Sequence, residues 1–188
     1  QKLRLKDINF AYDEGSEFAL KDINLEIRRG ETVFLIGKNG SGKSTLFMIL
    51  AGLLAPKSGE MFADDVKITE SNLKSYANTI SAVFSDFYLF DEVMSDDEAL
   101  TNELLKKMSR ENKVSLKDGN FSTLNLSQGQ KKRLAMVAAL LEKRKFLILD
   151  EWAADQDPEF RRHFYTEFLP GLKAQGYTVF AISHDDAY

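Results

Sequence analysis

The residues best suited to chemistry are Gly37-Lys38-Asn39-Gly40-Ser41-Gly42-Lys43-Ser44, which fit the pattern G-x-x-x-x-G-K-[ST]. In such a loop the glycines let backbone N–H groups close around phosphate oxygens, and the N-terminus of the following helix faces the anion. Lys43 then neutralises the terminal phosphates, Ser44 is placed to ligate Mg²⁺, and Thr45 continues the same turn. A second set is acidic. Asp150 and Glu151 follow directly on the apolar run 146–149, at the carboxyl end of a predicted strand, where open α/β sheets place their ligands. His184 leaves the run 179–182 in the same way, so three polar sets at three strand ends can converge on one crevice. An acidic pair beside a phosphate loop suits Asp150 holding Mg²⁺ through water and Glu151 polarising the attacking water of a phosphoryl transfer. Alone, an Asp-Glu pair after an apolar run is commonly a solvated strand end; the phosphate loop favours the functional reading.

These groups need particular elements beneath them. Residues 32–36 form an apolar run ending at Gly37, and Leu46, Ile49, Leu50 and Leu53 then recur at helical spacing until Pro56, which predicts strand, glycine loop, helix. Leu3, Leu5, Ile8 and Phe10, then Ile23, Leu25 and Ile27, have the alternation of half-buried strands joined through a turn at Asp13-Glu14-Gly15, and predict an antiparallel annex. Residues 59–63 and 66–68 flank Asp64-Asp65 as a hairpin, and 79–84 supplies another strand. Between about 91 and 125 the composition turns polar and helical, with Asp96-Asp97-Glu98 at a helix start and Lys106-Lys107 toward its end. Ser127 with Gln130 three residues on matches a capping box ahead of Leu134, Val137, Ala138 and Leu141. Asp157-Pro158 reads as an N-cap with proline at the first helical position. This βαβ rhythm predicts an α/β layered fold with a mainly parallel sheet.

Composition narrows the class. The chain has 188 residues, 44% hydrophobic and 29% charged, the balance of one compact domain with a sizeable core. Its formal charge of −4 offers no basic excess to a phosphate backbone, so no nucleic-acid partner is expected. Zero cysteines remove thiol catalysis, thiolate metal sites and disulfides together. No apolar run approaches the roughly 20 residues of a membrane-spanning helix, and the N-terminus lacks a signal-peptide apolar region, so the domain is expected to be soluble.

With the phosphate loop, the string Leu126-Ser127-Gln128-Gly129-Gln130 and the acidic strand end in this order, the chain resembles the nucleotide-binding domain of ABC transporters over nearly its whole length. The resemblance implies a P-loop NTPase (RecA-like) α/β core with a mainly parallel sheet, an N-terminal antiparallel β annex and a small α-helical subdomain at about 91–143. Residues 1–188 would be a single ATP-binding domain, with ATP and Mg²⁺ as cofactors. The 126–130 string is similar to the family signature, usually LSGGQ, with Gln128 at its third position. In that family the signature of one subunit closes over ATP held by the other, so Ser127, Gln128, Gly129 and Gln130 are expected to act in trans, and a second copy of the chain is the implied partner. A capping box alone needs no Gly-Gln pair and no Lys131-Lys132-Arg133 after it. Tyr12 stands where the family carries an aromatic that stacks on adenine, and His184 resembles its switch histidine at the γ-phosphate. Asp157 resembles the D-loop aspartate that contacts the opposite subunit. Where the family has a glutamine near Mg²⁺, this chain has Ser85 with Asp86 beside it, and both become candidate metal-side groups, the serine through a metal-held water. Phe84, Phe87, Tyr88, Leu89 and Phe90 form an adjoining candidate groove for a partner helix.

Two strings narrow the branch. Asp118-Gly119-Asn120-Phe121-Ser122-Thr123 and the run 150–158 resemble the bacterial cyclic-peptide and siderophore-peptide exporter group, which also carries Phe-Ser-Asp where the glutamine is usual. That resemblance implies a transmembrane domain absent from this chain, a position on the cytoplasmic side of the bacterial inner membrane, and a C-terminal end that is truncated. Two functions compete: an ATPase motor that drives export through ATP-dependent dimerisation, and an ATP-dependent dimerising module with little hydrolysis, which Ser85 favours. A DNA-maintenance ATPase of the same family would need a long coiled-coil insertion, yet only 84 positions separate Lys43 from Ser127, without sustained heptads.

Overall fold

A computed structural model of the chain describes residues 2–13, 19–89, 97–108, 114–117 and 120–183. Its first half runs β1 (Leu3–Phe10), β2 (Leu20–Ile27), β3 (Thr32–Leu35), α1 (Lys43–Leu50), β4 (Ser58–Ala63), β5 (Val66–Ile68), α2 (Leu73–Ala77) and β6 (Ile80–Val83). Then come α3 (Glu98–Met108), β7 (Leu116–Lys117), β8 (Asn120–Phe121), α4 (Gln128–Leu141) and β9 (Phe146–Asp150). A 3₁₀ turn (Trp152–Asp155), α5 (Pro158–His163), a π turn (Phe164–Phe168), α6 (Leu169–Ala174) and β10 (Thr178–Ile182) follow.

The predicted annex is an antiparallel sheet of order β2-β1-β4-β5, and the predicted parallel sheet has the order β3-β10-β9-β6. β9 and β10 read as continuous apolar runs because both faces of their sheet are covered. Their alternation sorts the core. Phe146, Ile148, Phe180 and Ile182 pack with α1 and the antiparallel sheet. Leu147, Leu149, Val179 and Ala181 join α3, α4 and α5 on the other side. This layering sets the carboxyl ends of β3, β9 and β10 side by side, with Ile182 opposite both Leu35 and Asp150.

Three local features differ from the sequence reading. The polar stretch is only partly helical: β7 and β8 pair antiparallel, Leu116 opposite Phe121 and Lys117 opposite Asn120. Phe121 buries against α3 and α4, so tertiary burial outweighs local polarity. α2, too short for a periodic signal, is held because its Tyr76 hydroxyl donates to the Leu50 carbonyl at 2.7 Å. The helix begun at Asp157-Pro158 continues to Ala174, widened at the π turn. Pro170 lacks an N–H and crowds the carbonyl four residues before it, and the wider turn relieves that clash.

Candidate functional site

The phosphate loop springs from the end of β3 and feeds α1, as the motif requires. Gly42 has φ +86, and a Cβ there would lie 2.5 Å from the Ala19 carbonyl oxygen, so only glycine fits. Gly40 is also left-handed, at φ +77. Lys43 is buried, and its ammonium reaches back over the loop to donate to the carbonyls of Gly37 (2.8 Å) and Lys38 (3.0 Å). α1 starts without a side-chain cap, leaving its first turn facing a cleft of about 420 Å³. Asn39, Gly40, Gly42, Lys43, Ser44 and Thr45 form one wall of that cleft, with Tyr12 and Glu151 also lining it. Tyr12 is 56% exposed; its ring meets that of Phe10 edge-on at 5.1 Å between centres, and its hydroxyl hydrogen-bonds to Thr45 Oγ1 at 2.9 Å. Thr45 therefore anchors the aromatic that flanks the loop.

Asp150 ends β9 in a buried position, and Ser85 donates its hydroxyl to Asp150 Oδ2 at 3.1 Å. Burial pushes the Asp150 carboxyl above its usual range; the Ser85 hydroxyl opposes this rise and the charge of Glu151 adds to it. Ser44, Ser85 and Asp150 offer only hard oxygen donors, the type Mg²⁺ takes when phosphate oxygens and water complete its shell. No cluster of three or more His, Cys, Asp or Glu side chains suited to a metal occurs among the described residues. Asp86 is exposed beside Ser85. Glu151 follows in the left-handed region at φ +47, its N–H donating to the Ile182 carbonyl at 3.1 Å.

Ser127 caps α4 as predicted: its hydroxyl accepts from the Gln130 N–H, and Gln130 Oε1 accepts from the Ser127 N–H. Gln128 is exposed and Gly129 buried; a Cβ on Gly129 would lie 2.4 Å from the Asp155 carbonyl oxygen. None of these four residues belongs to the described wall of the phosphate-loop cleft. Gly129 packs instead on residues 155–156. Gln156 donates to the Gly129 carbonyl, and Arg133 binds both Gln156 Oε1 and Asp157 Oδ2 while its guanidinium lies 3.6 Å from the Phe160 ring centre. Asp157 caps α5 by accepting the Phe160 N–H at 2.8 Å.

His184 and Phe90 lie outside the described residues. Phe84 packs on Phe47 (5.0 Å between ring centres) and so belongs to the core, whereas Tyr88 is well exposed. Lys132, Arg133 and Gln156 are functional candidates to which the sequence reading gave no role of their own. Lys132 falls three residues after buried Gly129 and four before buried Met136, on the inward face of α4, and a charge on a buried helical stripe signals a buried partner.

The sequence profile of the ABC transporter family matches residues 20–154. That span holds the phosphate loop, the signature string and Asp150-Glu151; Tyr12, Asp157 and His184 fall outside it. The chain is 43% identical to ATP-binding protein SyrD of Pseudomonas syringae pv. syringae over 99% of its own length, and spans about a third (35%) of SyrD. It is 31% identical to the energy-coupling factor transporter ATP-binding protein EcfA1 of Oceanobacillus iheyensis, over 97% of the chain and 70% of EcfA1. Among solved structures, the dimeric post-hydrolysis state of the ATP-binding cassette MJ0796 with ADP and Pi superposes with a TM-score of 0.80 at 27% identity, covering 97% of this chain and 88% of that one. A phosphate loop, an acidic strand end and a capped signature helix, all on this fold, belong together: the chain is a member of the ABC transporter family, an ATPase of the ATP-binding-cassette class.

Proposed function

We propose that this chain is the ATP-binding and ATP-hydrolysing domain of an exporter for a peptide, cyclic or siderophore-like, and that two copies close head to tail on two Mg-ATP. The observation that carries the hydrolytic part is the single cleft in which Lys43, Ser44 and Glu151 come together at the mouths of β3 and β9. Tyr12 stacks on adenine, the 37–45 backbone and Lys43 hold the phosphates, and Ser44 with Asp150 holds the metal side, Ser85 bonding Asp150 from behind. Mg²⁺, when bound, neutralises charge on the phosphates. Glu151 orients and polarises the attacking water, and His184 is assigned to the γ-phosphate. Because Ser127, Gln128, Gly129 and Gln130 stand apart from their own cleft, they serve the nucleotide of a second copy, with Asp157 at the same seam.

The export direction rests on the exporter-like strings at 118–123 and 150–158 and on the 43% identity to SyrD. A transmembrane partner would then seat this domain on the cytoplasmic face of a bacterial inner membrane, against the loop of Ser85 to Leu89. The residues described contain no helix long and apolar enough to cross a membrane. Turnover of Mg-ATP by the purified chain tests the reading. Glu151→Gln should lower it about 100-fold or more while leaving ATP binding intact. Equal turnover by both proteins would refute the role of Glu151, and ATP-dependent dimerisation without turnover in the unmodified chain would support a dimerising module.

A further inference from the structure

We propose that Lys132 is a positioning residue that holds Glu151 in its working conformation, an inference that rests on the reading of Glu151 as the group that polarises water. Lys132 is 2% exposed, on the inward face of α4. Its ammonium donates to the Glu151 carbonyl oxygen at 3.0 Å and pairs with Asp155 Oδ2 at 2.6 Å. Its own carbonyl accepts the Trp152 indole N–H at 2.9 Å. Both ends of one residue thus grip the turn 151–155.

The grip falls on a strained point. Glu151 has a left-handed backbone, which an L-residue with a side chain keeps only when its surroundings impose it. β10 holds the N–H of Glu151 through the Ile182 carbonyl, and the Lys132 ammonium at 3.0 Å and the Ala154 N–H at 3.2 Å hold its carbonyl. With both flanking peptides fixed, φ and ψ are fixed too, and with them the direction of Cα–Cβ into the cleft. An apolar side chain at 132 would fill the same face of α4 with less desolvation than a buried ammonium, but would take the charged donor from the Glu151 carbonyl, which also accepts the Ala154 N–H at 3.2 Å. Asp155 neutralises the ammonium, so the carbonyl bond forms without an unpaired buried charge.

The test uses the full chain, with Lys132→Met, which keeps the stem and loses the charge, and Asp155→Asn, which keeps the ammonium and weakens its partner. Turnover at saturating Mg-ATP, the half-saturating ATP concentration and amide exchange across 151–156 are measured beside Glu151→Gln. Lys132→Met should lower turnover about tenfold or more, with half-saturation within about twofold, and exchange across 151–156 should quicken while β9 and α1 stay unchanged. Asp155→Asn should lose about two- to threefold in turnover with the same half-saturation. Full turnover by Lys132→Met overturns the proposal, as does a joint loss of turnover and ATP affinity, which marks a merely structural role. An active Glu151→Gln removes the underlying reading, whereas an inactive Glu151→Gln beside an active Lys132→Met removes only this one. Should Lys132→Met not fold, unchanged turnover in Asp155→Asn overturns the proposal. Should the unmodified chain show no turnover, unchanged exchange across 151–156 does so.

Discussion

Gly42 and Gly40 are both left-handed, yet they answer to different constraints. At Gly42 a Cβ meets the Ala19 carbonyl oxygen and the Leu20 side chain, whereas at Gly40 it would meet nothing within 4 Å. Gly42→Ala should therefore weaken ATP binding about 100-fold and destabilise the chain by about 2–4 kcal/mol, while Gly40→Ala loses only about 1 kcal/mol. Titration with a fluorescent ATP analogue and thermal melting separate the two. Asp150 trades stability for chemistry. Burial raises its folded-state carboxyl above the unfolded value, so the stability it lends is present below the unfolded range and is lost as pH rises through the folded one. Asp150→Asn should then melt higher than the unmodified chain at pH 7 in the absence of nucleotide, with the gain shrinking as pH falls, while turnover drops about 100-fold or more. A lower melting temperature at pH 7 contradicts the burial argument.

Between α4 and residues 151–157 the contacts are polar and directional. Gly129 lets the two approach, Gln156 and Arg133 bridge them, and Asp157 serves as both cap and ion-pair partner. The Phe160 N–H chiefly, then Arg133, holds the Asp157 carboxyl below its usual range. Its contribution is present above the unfolded carboxylate range and is lost as pH falls through the folded one. Asp157→Ala should destabilise the chain by about 1 kcal/mol at pH 7, and the difference should fade in acid; denaturant unfolding across that range measures it. The caps themselves were legible in sequence, because Ser127 with Gln130 and Asp157 with Pro158 are local patterns. Their bridging was not, since Arg133 and Gln156 lie 23 residues apart and no periodicity links them.

For the whole molecule, the decisive fact is that the signature residues do not line the cleft holding the phosphate loop. On the proposed reading, a closed site takes a second chain. Glu151→Gln protein should double its mass in light scattering on addition of Mg-ATP, and Ser127→Arg added to it should abolish the doubling without loss of ATP binding to the monomer. Doubling that survives Ser127→Arg would place the contact elsewhere.

By itself the sequence determined what depends on neighbours along the chain. The phosphate loop, the capping box, the apolar runs of β3, β9 and β10, and the emergence of Asp150-Glu151 from a strand end all follow from spacing and residue type. Only the tertiary structure decided which of these face one another. It set Ser85 on Asp150, Tyr12 on Thr45, and the ammonium of Lys132 beneath the Glu151 carbonyl. It also paired β7 with β8 in a stretch whose polarity suggested helix. The physical reason is common to all four. Each depends on desolvation and contact between segments distant in sequence or buried together, and neither quantity exists until the two sheets and their helices have packed.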